Sequence, residues 1–226
     1  KENDFLSFSR PEIGNEEINE VISSLKSGWV TTGPKAKQFE NDFASFIGGS
    51  VHALAVNSAT SGIHLALKAL GVKHGDEVIT TTHTFTASAA PIVYCGAKPI
   101  FVDIDKSTLC IDVDEVRKKI NHKTKVIIPV HFAGLSAKMP ELIKLAKEKN
   151  IKIVEDAAHA LPTTCNGKLI GSLDTDVCVF SFYANKTMTT GEGGMVVTKS
   201  SEIADRVKKM RLHGIDRDAF NRFTSK

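Results

Sequence analysis

Short apolar runs alternate with longer amphipathic stretches from residue 51 onward. The runs are rich in strand-forming residues, whereas the stretches between them repeat their apolar residues every three to four positions, as a helix does. The runs predict strands at His52–Val56, Glu77–Thr81, Lys98–Val102, Val126–Val130, Ile151–Glu155, Val177–Phe182 and Gly194–Thr198. The stretches predict helices at Ala59–Leu70, Thr86–Tyr94, Asp112–Ile120, Pro140–Lys149 and Ser201–Leu212.

Strands that are apolar throughout, with helices between them, are typical of a sheet covered on both faces. We therefore expect an α/β fold, a three-layer sandwich around a mostly parallel mixed sheet, over residues 51–212. Residues 1–50 form an N-terminal segment with predicted helices Glu16–Lys26 and Pro34–Ile47, joined by the loop SGWVTTGP. Residues 213–226 are mostly polar and lack strand periodicity, so we expect them to begin a connection to a further domain.

Composition narrows the class of protein. Hydrophobic residues make up 42% and charged residues 24% of the 226 residues, which is ordinary for a globular domain. The net charge of +3, without a basic block, argues against nucleic acid as the main partner. No apolar stretch approaches the roughly 20 residues that span a bilayer, and the N-terminus is too polar for a signal peptide. We expect a cytoplasmic protein with no membrane contact.

Two patterns suggest metal or thiol chemistry only weakly. Cysteines 95, 110, 165 and 178 have spacings that suit neither zinc nor disulfides, so we expect free thiols in a reducing compartment. Asp103 and Asp105 form a D-x-D motif after a strand, a pattern known from metal-dependent glycosyltransferases. A turn at the strand end explains the same spacing, and we expect no metal site.

Lys186 lies in the segment FSFYANKTMTTGEGGM, in a loop between two predicted apolar strands. A lysine amine attacks an aldehyde only when it is unprotonated, so a Schiff-base lysine is placed where its pKa falls. The loop is such a place, and its glycines allow close backbone approach. Most lysines that follow a strand are nevertheless solvated, and the loop by itself leaves both interpretations open.

Three other segments also follow predicted strands. Asp156 in VEDAAHA is suited to pair with a cationic ring nitrogen, or to cap the next turn. Thr60 and Ser61 open a helix whose N-terminus suits a phosphate, although Ser58 or Thr60 as a simple cap explains the same residues. Phe85 in THTFT is placed to stack on a flat ring or to fill the core.

In this order and wording, the four segments resemble the sugar aminotransferase family DegT/DnrJ/EryC1/StrS, within the fold-type-I pyridoxal-phosphate enzymes. The resemblance runs from FLSFSRP at Phe5, through SGWVTTGP at Ser27, to MRLHGI at Met210, and so covers nearly the whole chain. Its most specific parts are EDAAHA, FSFYANK and TTGEGGM. It implies an aspartate-aminotransferase-like large domain that binds pyridoxal 5'-phosphate.

The resemblance also implies a role for each matching residue. Lys186 matches the catalytic lysine that holds the cofactor as a Schiff base, and Asp156 matches the carboxylate that pairs with the pyridine nitrogen. The other cofactor matches are His159 near the phenolic oxygen, Phe85 on the ring face, and Thr60, Ser61 and Ser181 at the phosphate.

The substrate site is implied by the loop SGWVTTGP, which resembles the segment lining the family's sugar-nucleotide site. We expect Trp29, Thr31 and Thr32 of this loop to bind substrate. His131 ends a predicted strand at the ligand-binding edge, and we expect it to line the same pocket.

The sequence departs from the family in one respect. Members continue into a smaller C-terminal domain, which is missing from this sequence. That domain supplies an asparagine to the cofactor phosphate of the partner subunit and much of the sugar-nucleotide surface. We therefore expect a homodimer with shared active sites, and a truncated, catalytically silent member remains an alternative.

The expected reaction is transfer of an amino group from an amino acid, glutamate in the family, to a nucleotide-linked keto sugar. The segment FYANKTMTTGEGG looks most similar to relatives that aminate C4 of 4-keto-6-deoxy sugars for surface-polysaccharide or glycan precursors. A dehydratase of the same family is the nearest rival. Those enzymes have histidine in place of the lysine, so Lys186 argues against it.

Overall fold

The computed structural model describes residues 9–48 and 50–215. A seven-stranded sheet runs through the described part of the chain, in the order β1-β9-β8-β5-β4-β2-β3. Its strands are β1 (His52–Val56), β2 (Glu77–Thr81), β3 (Lys98–Val102), β4 (Thr124–Ile128), β5 (Lys152–Asp156), β8 (Val177–Ser181) and β9 (Gly194–Thr198). A short hairpin of β6 (Thr164–Cys165) and β7 (Lys168–Leu169) lies outside this sheet.

The sheet is mixed and mostly parallel, as expected. The neighbouring pairs β2–β3, β2–β4, β4–β5 and β5–β8 are parallel. Only β9 runs against its neighbours β1 and β8. Because β9 is antiparallel to both, β1 and β8 run in the same direction. Six of the seven strands are therefore parallel to one another, and β9 alone runs the opposite way.

Helices cover both faces of the sheet and make the expected three-layer sandwich. The first helix, α1 (Asn15–Lys26), buries no residue. The covering helices are α2 (Pro34–Ile47), α3 (Ala59–Ala69), α4 (Ala90–Tyr94), α5 (Val113–Lys119), α6 (Met139–Lys149) and α7 (Ser201–Met210). Alternate residues of the central strands belong to two separate clusters of buried side chains, because successive strand side chains point to opposite faces. In β8, for example, Val179 packs with the cluster of α3 and α7, and Phe180 with that of α2 and α6.

Two elements differ from the sequence-based prediction at prolines. The helix expected over Thr86–Tyr94 is a 3-10 turn, Thr86–Ser88, followed by α4. Pro91 lies at the start of α4 because proline has no N–H to donate inside a helix. The strand expected over Val126–Val130 begins earlier and ends at Ile128, immediately before Pro129, which for the same reason cannot donate to a sheet ladder.

The start of α3 packs very closely on the sheet. A Cβ added to Gly194 in β9 would lie 2.7 Å from the backbone N of Ala59, and one added to Gly62 would lie 2.7 Å from Cγ1 of Val179. Both glycines therefore bring the first turn of α3 against β8 and β9. None of the helices among the described residues combines the length and apolar character needed to cross a membrane.

Candidate active site

The carboxyl ends of β1, β2, β5 and β8 lie at one edge of the sheet, since these four strands run in the same direction. Ligands of open α/β sheets bind at this edge. Every residue that the sequence associates with the cofactor follows one of these strand ends: Thr60 and Ser61 after β1, Phe85 after β2, Asp156 and His159 at β5, and Ser181 and Lys186 at β8.

Lys186 is half-buried in the loop between β8 and β9. Its partial burial lowers the pKa of the amine from the ordinary value of 10.5, while the negative charge of Asp156 acts in the opposite direction. Burial disfavours the charged ammonium, so more of this lysine is an unprotonated amine than in a solvated lysine. The amine state is the one that attacks a carbonyl carbon.

Backbone hydrogen bonds hold this loop in place. The N–H of Lys186 donates to the carbonyl of Tyr183 at 3.0 Å, which closes a turn. Phe182 then accepts from the N–H of Thr190 at 3.0 Å and donates to the carbonyl of Gly193 at 2.9 Å. A Cβ on Gly193 would lie 2.3 Å from Oγ1 of Thr190, so the loop closes this tightly only around a glycine.

Asp156, at the end of β5, is 5% exposed. Its Oδ2 accepts a hydrogen bond from Oγ of Ser88 at 2.6 Å, and its Oδ1 accepts from the N–H of Ala158 at 3.2 Å. The second bond is the turn cap that the sequence offered as the alternative interpretation. The cap does not exclude pairing with a ring nitrogen, because a carboxylate has further acceptor positions on its two oxygens; that pairing stays a prediction.

His159 belongs to the same electrostatic group as Lys186 and Asp156. Desolvation and then the positive charge of Lys186 lower the pKa of the imidazole from its ordinary 6.5, and Asp156 acts to raise it. An imidazole with a lowered pKa is neutral at pH 7. A neutral ring presents one N–H donor and one acceptor nitrogen.

The first turn of α3 carries Thr60 and Ser61, both half-buried. Ser58 is the N-cap, and its Oγ accepts from the N–H of Ser61 at 3.1 Å. The capping interpretation is therefore correct for Ser58. It is compatible with anion binding, since the first N–H groups of a helix lack intrahelical acceptors and carry partial positive charge.

Ser181 ends β8 beside this helix. It is paired with Gly194 in the sheet register, and the backbone of Gly194 meets the start of α3. Oγ of Ser181 accepts a hydrogen bond from the N–H of Tyr183 at 3.3 Å. A hydroxyl, a helix start and a half-buried lysine thus share one end of the sheet.

Phe85 is 78% exposed, which excludes the alternative that it fills the core. Its carbonyl accepts from the N–H of Ser88 at 3.1 Å in the 3-10 turn after β2. The aromatic ring at this position is therefore available to a ligand at the sheet edge. Stacking on a cofactor stays a prediction.

His131 corrects the expectation that it lines a substrate pocket. The side chain has no exposed surface, Nε2 lies 3.0 Å from Oε2 of Glu155, and Nδ1 accepts from the N–H of Ala137 at 3.1 Å. Both ring nitrogens are engaged inside the protein, and the ring is closed off from ligands. The position after a strand suggested exposure, but the ring is enclosed between Ala137 of the same loop and Glu155 of β5.

The loop SGWVTTGP borders an open groove of about 570 Å³ between α1 and α2. Trp29 and Thr31 line this groove, whereas Thr32 does not, and the indole Nε1 of Trp29 donates to the carbonyl of Thr32 at 3.1 Å. Phe39 also lines the groove, and its ring centroid is 5.2 Å from that of Phe182. The groove is thus connected by packing to the strand end that precedes the Lys186 loop.

The D-x-D motif forms the strand-end turn. Oδ1 of Asp103 accepts from the N–H of Ile104 at 2.8 Å. Asp105 accepts from Nζ of Lys138 at 2.6 Å and from the N–H of Ser107 at 2.8 Å. These bonds hold the pKa of Asp105 well below its ordinary value. Within residues 9–48 and 50–215, no group of three or more His, Cys, Asp or Glu side chains is arranged to hold a metal.

The four cysteines are free, as expected, and three of them are buried. Burial raises the pKa of the thiols of Cys95 and Cys110, and most strongly that of Cys178. A raised pKa keeps a thiol protonated and unreactive at neutral pH.

The sequence did not reveal the contacts of Ser88, Thr84 and Glu155. Ser88 and Thr84 are joined to Asp156 at the candidate site, whereas Glu155 lies behind it in the core. Ser88 contacts Asp156, which is 68 positions away in the sequence. Serine between two alanines is common in helix-forming stretches, so the local sequence does not single it out. Glu155 precedes the ring-nitrogen candidate and points into the core. Alternation along β5 could have assigned Glu155 to the opposite face of the sheet from Asp156. It could not have identified His131 as the partner of Glu155.

The motif FLSFSRP begins at Phe5, outside the described residues, and the stretch 216–226 also lies outside them.

Comparison with known proteins places the fold and the motifs in one family. The family model for the DegT/DnrJ/EryC1/StrS aminotransferase family matches residues 11–226. The uncharacterized protein MJ1066 of Methanocaldococcus jannaschii is 53% identical over 98% of this chain, and the spore coat polysaccharide biosynthesis protein SpsC of Bacillus subtilis is 47% identical over 100% of it. The chain spans 57% of the length of each of these relatives.

Solved structures agree with this placement. PseC of Helicobacter pylori, an aminotransferase involved in the biosynthesis of pseudoaminic acid, superimposes with a TM-score of 0.87 at 35% identity, over 95% of this chain and 58% of PseC. NtdA of Bacillus subtilis, with bound cofactor PMP, gives a TM-score of 0.82 at 30% identity, over 93% of this chain and 50% of NtdA. The family match over nearly the whole chain, with the same fold in both structures, shows that the chain belongs to the DegT/DnrJ/EryC1/StrS aminotransferase family.

Proposed function

We propose that this chain forms the cofactor-binding part of a pyridoxal-phosphate aminotransferase that acts on a nucleotide-linked keto sugar. The observation that carries the proposal is the half-buried amine of Lys186, which shares electrostatic surroundings with the buried carboxylate of Asp156 at the ligand-binding edge. Family membership and the bound PMP of NtdA support the choice of cofactor.

The side chains at this edge have the chemistry that pyridoxal phosphate requires. Thr60, Ser61 and Ser181 offer hydroxyls beside the N-terminus of α3, where a phosphate is stabilised by the helix dipole. Asp156 offers a carboxylate to the protonated ring nitrogen, and the exposed ring of Phe85 offers a flat face. Each part of the cofactor therefore has a matching group at the carboxyl ends of β1, β2, β5 and β8.

Lys186 is proposed to act twice. Its amine would hold the cofactor aldehyde as a Schiff base, with loss of water, and the free amine would carry a proton to and from the substrate Cα once an amino donor had taken its place. The lowered pKa of the amine increases the fraction of the unprotonated form, which both tasks need. A base held at the reacting carbon gains further from proximity.

The other side chains hold and tune the site. Pyridoxal phosphate, when bound, supplies an electron-poor ring that accepts the electron pair released at Cα. Asp156 would keep the proton on the ring nitrogen, and a neutral His159 would donate a hydrogen bond to the phenolic oxygen. Phe85 covers one face of the ring and excludes water from it.

The proposed sugar-nucleotide site includes the groove between α1 and α2. Trp29 offers an aromatic surface to it and Thr31 a hydroxyl. Lys35 also lines the groove, but its Nζ is paired with Glu20, so a diphosphate would have to displace that carboxylate. Thr32 fixes Trp29 through its carbonyl. The names of SpsC and PseC, which concern polysaccharide and pseudoaminic acid biosynthesis, support a sugar substrate.

The finer assignment rests on the family motifs. We propose glutamate as amino donor, C4 of a 4-keto-6-deoxy sugar as the acceptor carbon, and a cytoplasmic homodimer in which each active site contains residues of both subunits. The proposed division is an N-terminal segment with the substrate loop over residues 1–50 and a cofactor-binding large domain over 51–212. Residues 213–226 begin the connection to the C-terminal domain.

Absorbance tests the central claim. The protein mixed with pyridoxal phosphate should show a visible band that borohydride removes, and Lys186→Ala should lack the band. Glutamate should shift the wild-type band to shorter wavelength. Full turnover by Lys186→Ala would overturn the assignment of the catalytic lysine.

A substrate panel tests the finer claim. The longest natural form of the protein should be assayed with nucleotide-linked 3-keto and 4-keto sugars, with glutamate, glutamine and alanine as donors. Amino transfer to 4-keto-6-deoxy sugars with glutamate is the expected result. Dehydration without amino transfer would favour the dehydratase alternative, and a bound but unreactive cofactor would favour a silent family member.

A further inference from the structure

Ser88 and Asp156 form a buried hydrogen-bonded pair at the candidate site. Oγ of Ser88 lies 2.6 Å from Oδ2 of Asp156, and Ser88 has no exposed surface. Oγ1 of Thr84 lies 2.6 Å from the same Ser88 oxygen. Thr84 and Ser88 from the turn after β2 and Asp156 from the end of β5 thus form a chain of hydrogen bonds.

The chemistry of the three side chains determines which group donates in each hydrogen bond. An ionised carboxylate only accepts hydrogen bonds, so the hydroxyl of Ser88 donates to Asp156. A serine hydroxyl has a single proton, so Thr84 must donate to Ser88. Hydrogen bonds to a charged acceptor are short and roughly twice as strong as neutral ones, and bonds in a row polarise one another.

The main chain and the side chain of Asp156 are held by different partners. The N–H of Asp156 donates to the carbonyl of Pro129 at 2.9 Å, and its carbonyl accepts from the N–H of His131 at 3.1 Å. These bonds fix the end of β5 but leave the carboxylate free to rotate. The bonds from Ser88 and from the N–H of Ala158 set the rotation of the carboxylate.

We propose that Ser88 is a positioning residue, which orients the Asp156 carboxylate toward the ring nitrogen of the cofactor, and that Thr84 fixes the Ser88 hydroxyl. The inference rests on the proposed function, because it takes Asp156 as the partner of the ring nitrogen. The turn that carries Ser88 also carries Phe85, whose carbonyl accepts the N–H of Ser88 at 3.1 Å. One turn after β2 thus serves both the face of the ring and the orientation of its nitrogen partner.

The test compares pyridoxal phosphate with its 1-deaza analogue, in which carbon replaces the ring nitrogen. Dissociation constants of both are measured for the full-length wild-type protein, Ser88→Ala and Ser88→Thr. We expect Ser88→Ala to weaken pyridoxal phosphate binding about tenfold, and binding of the analogue less than about twofold. Ser88→Thr keeps a hydroxyl and should restore most of the difference.

Thr80→Val is the matched control. Thr80 is another buried hydroxyl on β2, but it donates to the carbonyl of Ile128 at 3.0 Å and not to Asp156. A general loss of order in the sheet would weaken both ligands alike in this variant, and Thr84→Val should show a smaller version of the Ser88→Ala pattern.

Different outcomes test the positioning role of Ser88 and the proposed function. Equal weakening of both ligands by Ser88→Ala, or no weakening of either, would overturn the positioning role. If Ser88→Ala does not fold, Ser88→Cys, which replaces the hydroxyl with a weaker donor, decides the question by the same ratio. A wild-type protein that shows no visible band with pyridoxal phosphate would instead overturn the proposed function.

Discussion

Nε2 of His131 lies 3.0 Å from Oε2 of Glu155, and neither side chain has any exposed surface. Glu155 also accepts a hydrogen bond from Oγ1 of Thr175 at 2.5 Å, and His131 accepts one from the N–H of Ala137 at 3.1 Å. The pair joins the loop after β4 to the end of β5, next to Asp156. A buried carboxylate thus keeps a partner on each oxygen, as buried charges require.

Loss of this pair should destabilise the protein. Replacing His131 with Ala leaves Oε2 of Glu155 without its ring partner in the core, which costs about 3 kcal/mol of unfolding free energy. Urea unfolding followed by circular dichroism measures the change. The exposed His122 serves as control, since His122→Ala should cost less than about 0.5 kcal/mol. An unchanged midpoint in His131→Ala would contradict the structural role given to this histidine.

Lys186 should make stability depend on pH in the cofactor-free protein. Its folded-state pKa is lowered, so the folded protein loses this proton at a lower pH than the unfolded chain does. Stability therefore rises as pH increases from the lowered pKa toward the ordinary value of 10.5. Lys186→Met removes the cost of placing the ammonium there.

The matching measurement is the melting temperature of wild type and Lys186→Met between pH 7 and pH 10. We expect Lys186→Met to be slightly the more stable at pH 7 and the gap to narrow at higher pH. Solvent screening of this half-buried amine keeps the gap small. A gap that widens with pH would contradict the direction of the shift. Lys144→Met, on the exposed face of α6, is the control.

Gly194→Ala should separate α3 from the sheet. The three atoms nearest to the added Cβ would all be backbone atoms, the N of Ala59 at 2.7 Å, the C of Ser58 at 2.8 Å and the O of Phe180 at 2.9 Å. Backbone cannot rotate away as a side chain can, so we expect a loss of about 1–3 kcal/mol and weaker binding of the cofactor phosphate.

Chemical unfolding and a pyridoxal phosphate titration check this expectation together. Gly14→Ala is the control, because its Cβ would meet only the flexible side chain of Glu17, at 3.3 Å. Equal stability and affinity in Gly194→Ala would show that the first turn of α3 has room to move. Such a result would also weaken the argument for a preformed phosphate site.

Phe85→Ala should affect binding far more than folding. The ring is 78% exposed, so its removal should change the unfolding free energy by less than about 0.5 kcal/mol. Loss of stacking should weaken pyridoxal phosphate about tenfold, and Phe85→Tyr should retain affinity. Phe46, which is 53% exposed on α2, is the matched aromatic control. Unaltered affinity in Phe85→Ala would contradict the stacking role.

The local pattern was sufficient for most of the secondary structure. The predicted bounds of β1, β2, β3 and β9 coincide with the observed strands, because short, mostly apolar runs flanked by turn residues leave little choice. The prediction of one continuous helix after β2 was wrong, because Pro91 lies in the first turn of a separate helix that follows the 3-10 turn. The domain boundaries and the substrate roles of Trp29, Thr31 and Thr32 stay predictions.

The sequence by itself determined the α/β layering, the family and the strand ends that carry the candidate cofactor residues, since each depends on local periodicity or on a contiguous motif. Only the tertiary structure decided which side chains meet. It placed Ser88 against Asp156 and enclosed His131 with Glu155, and both contacts depend on the lateral order of strands that are distant in sequence. A hydrogen bond between side chains requires that order as well as a rotamer, and neither is encoded in the spacing of residues along the chain.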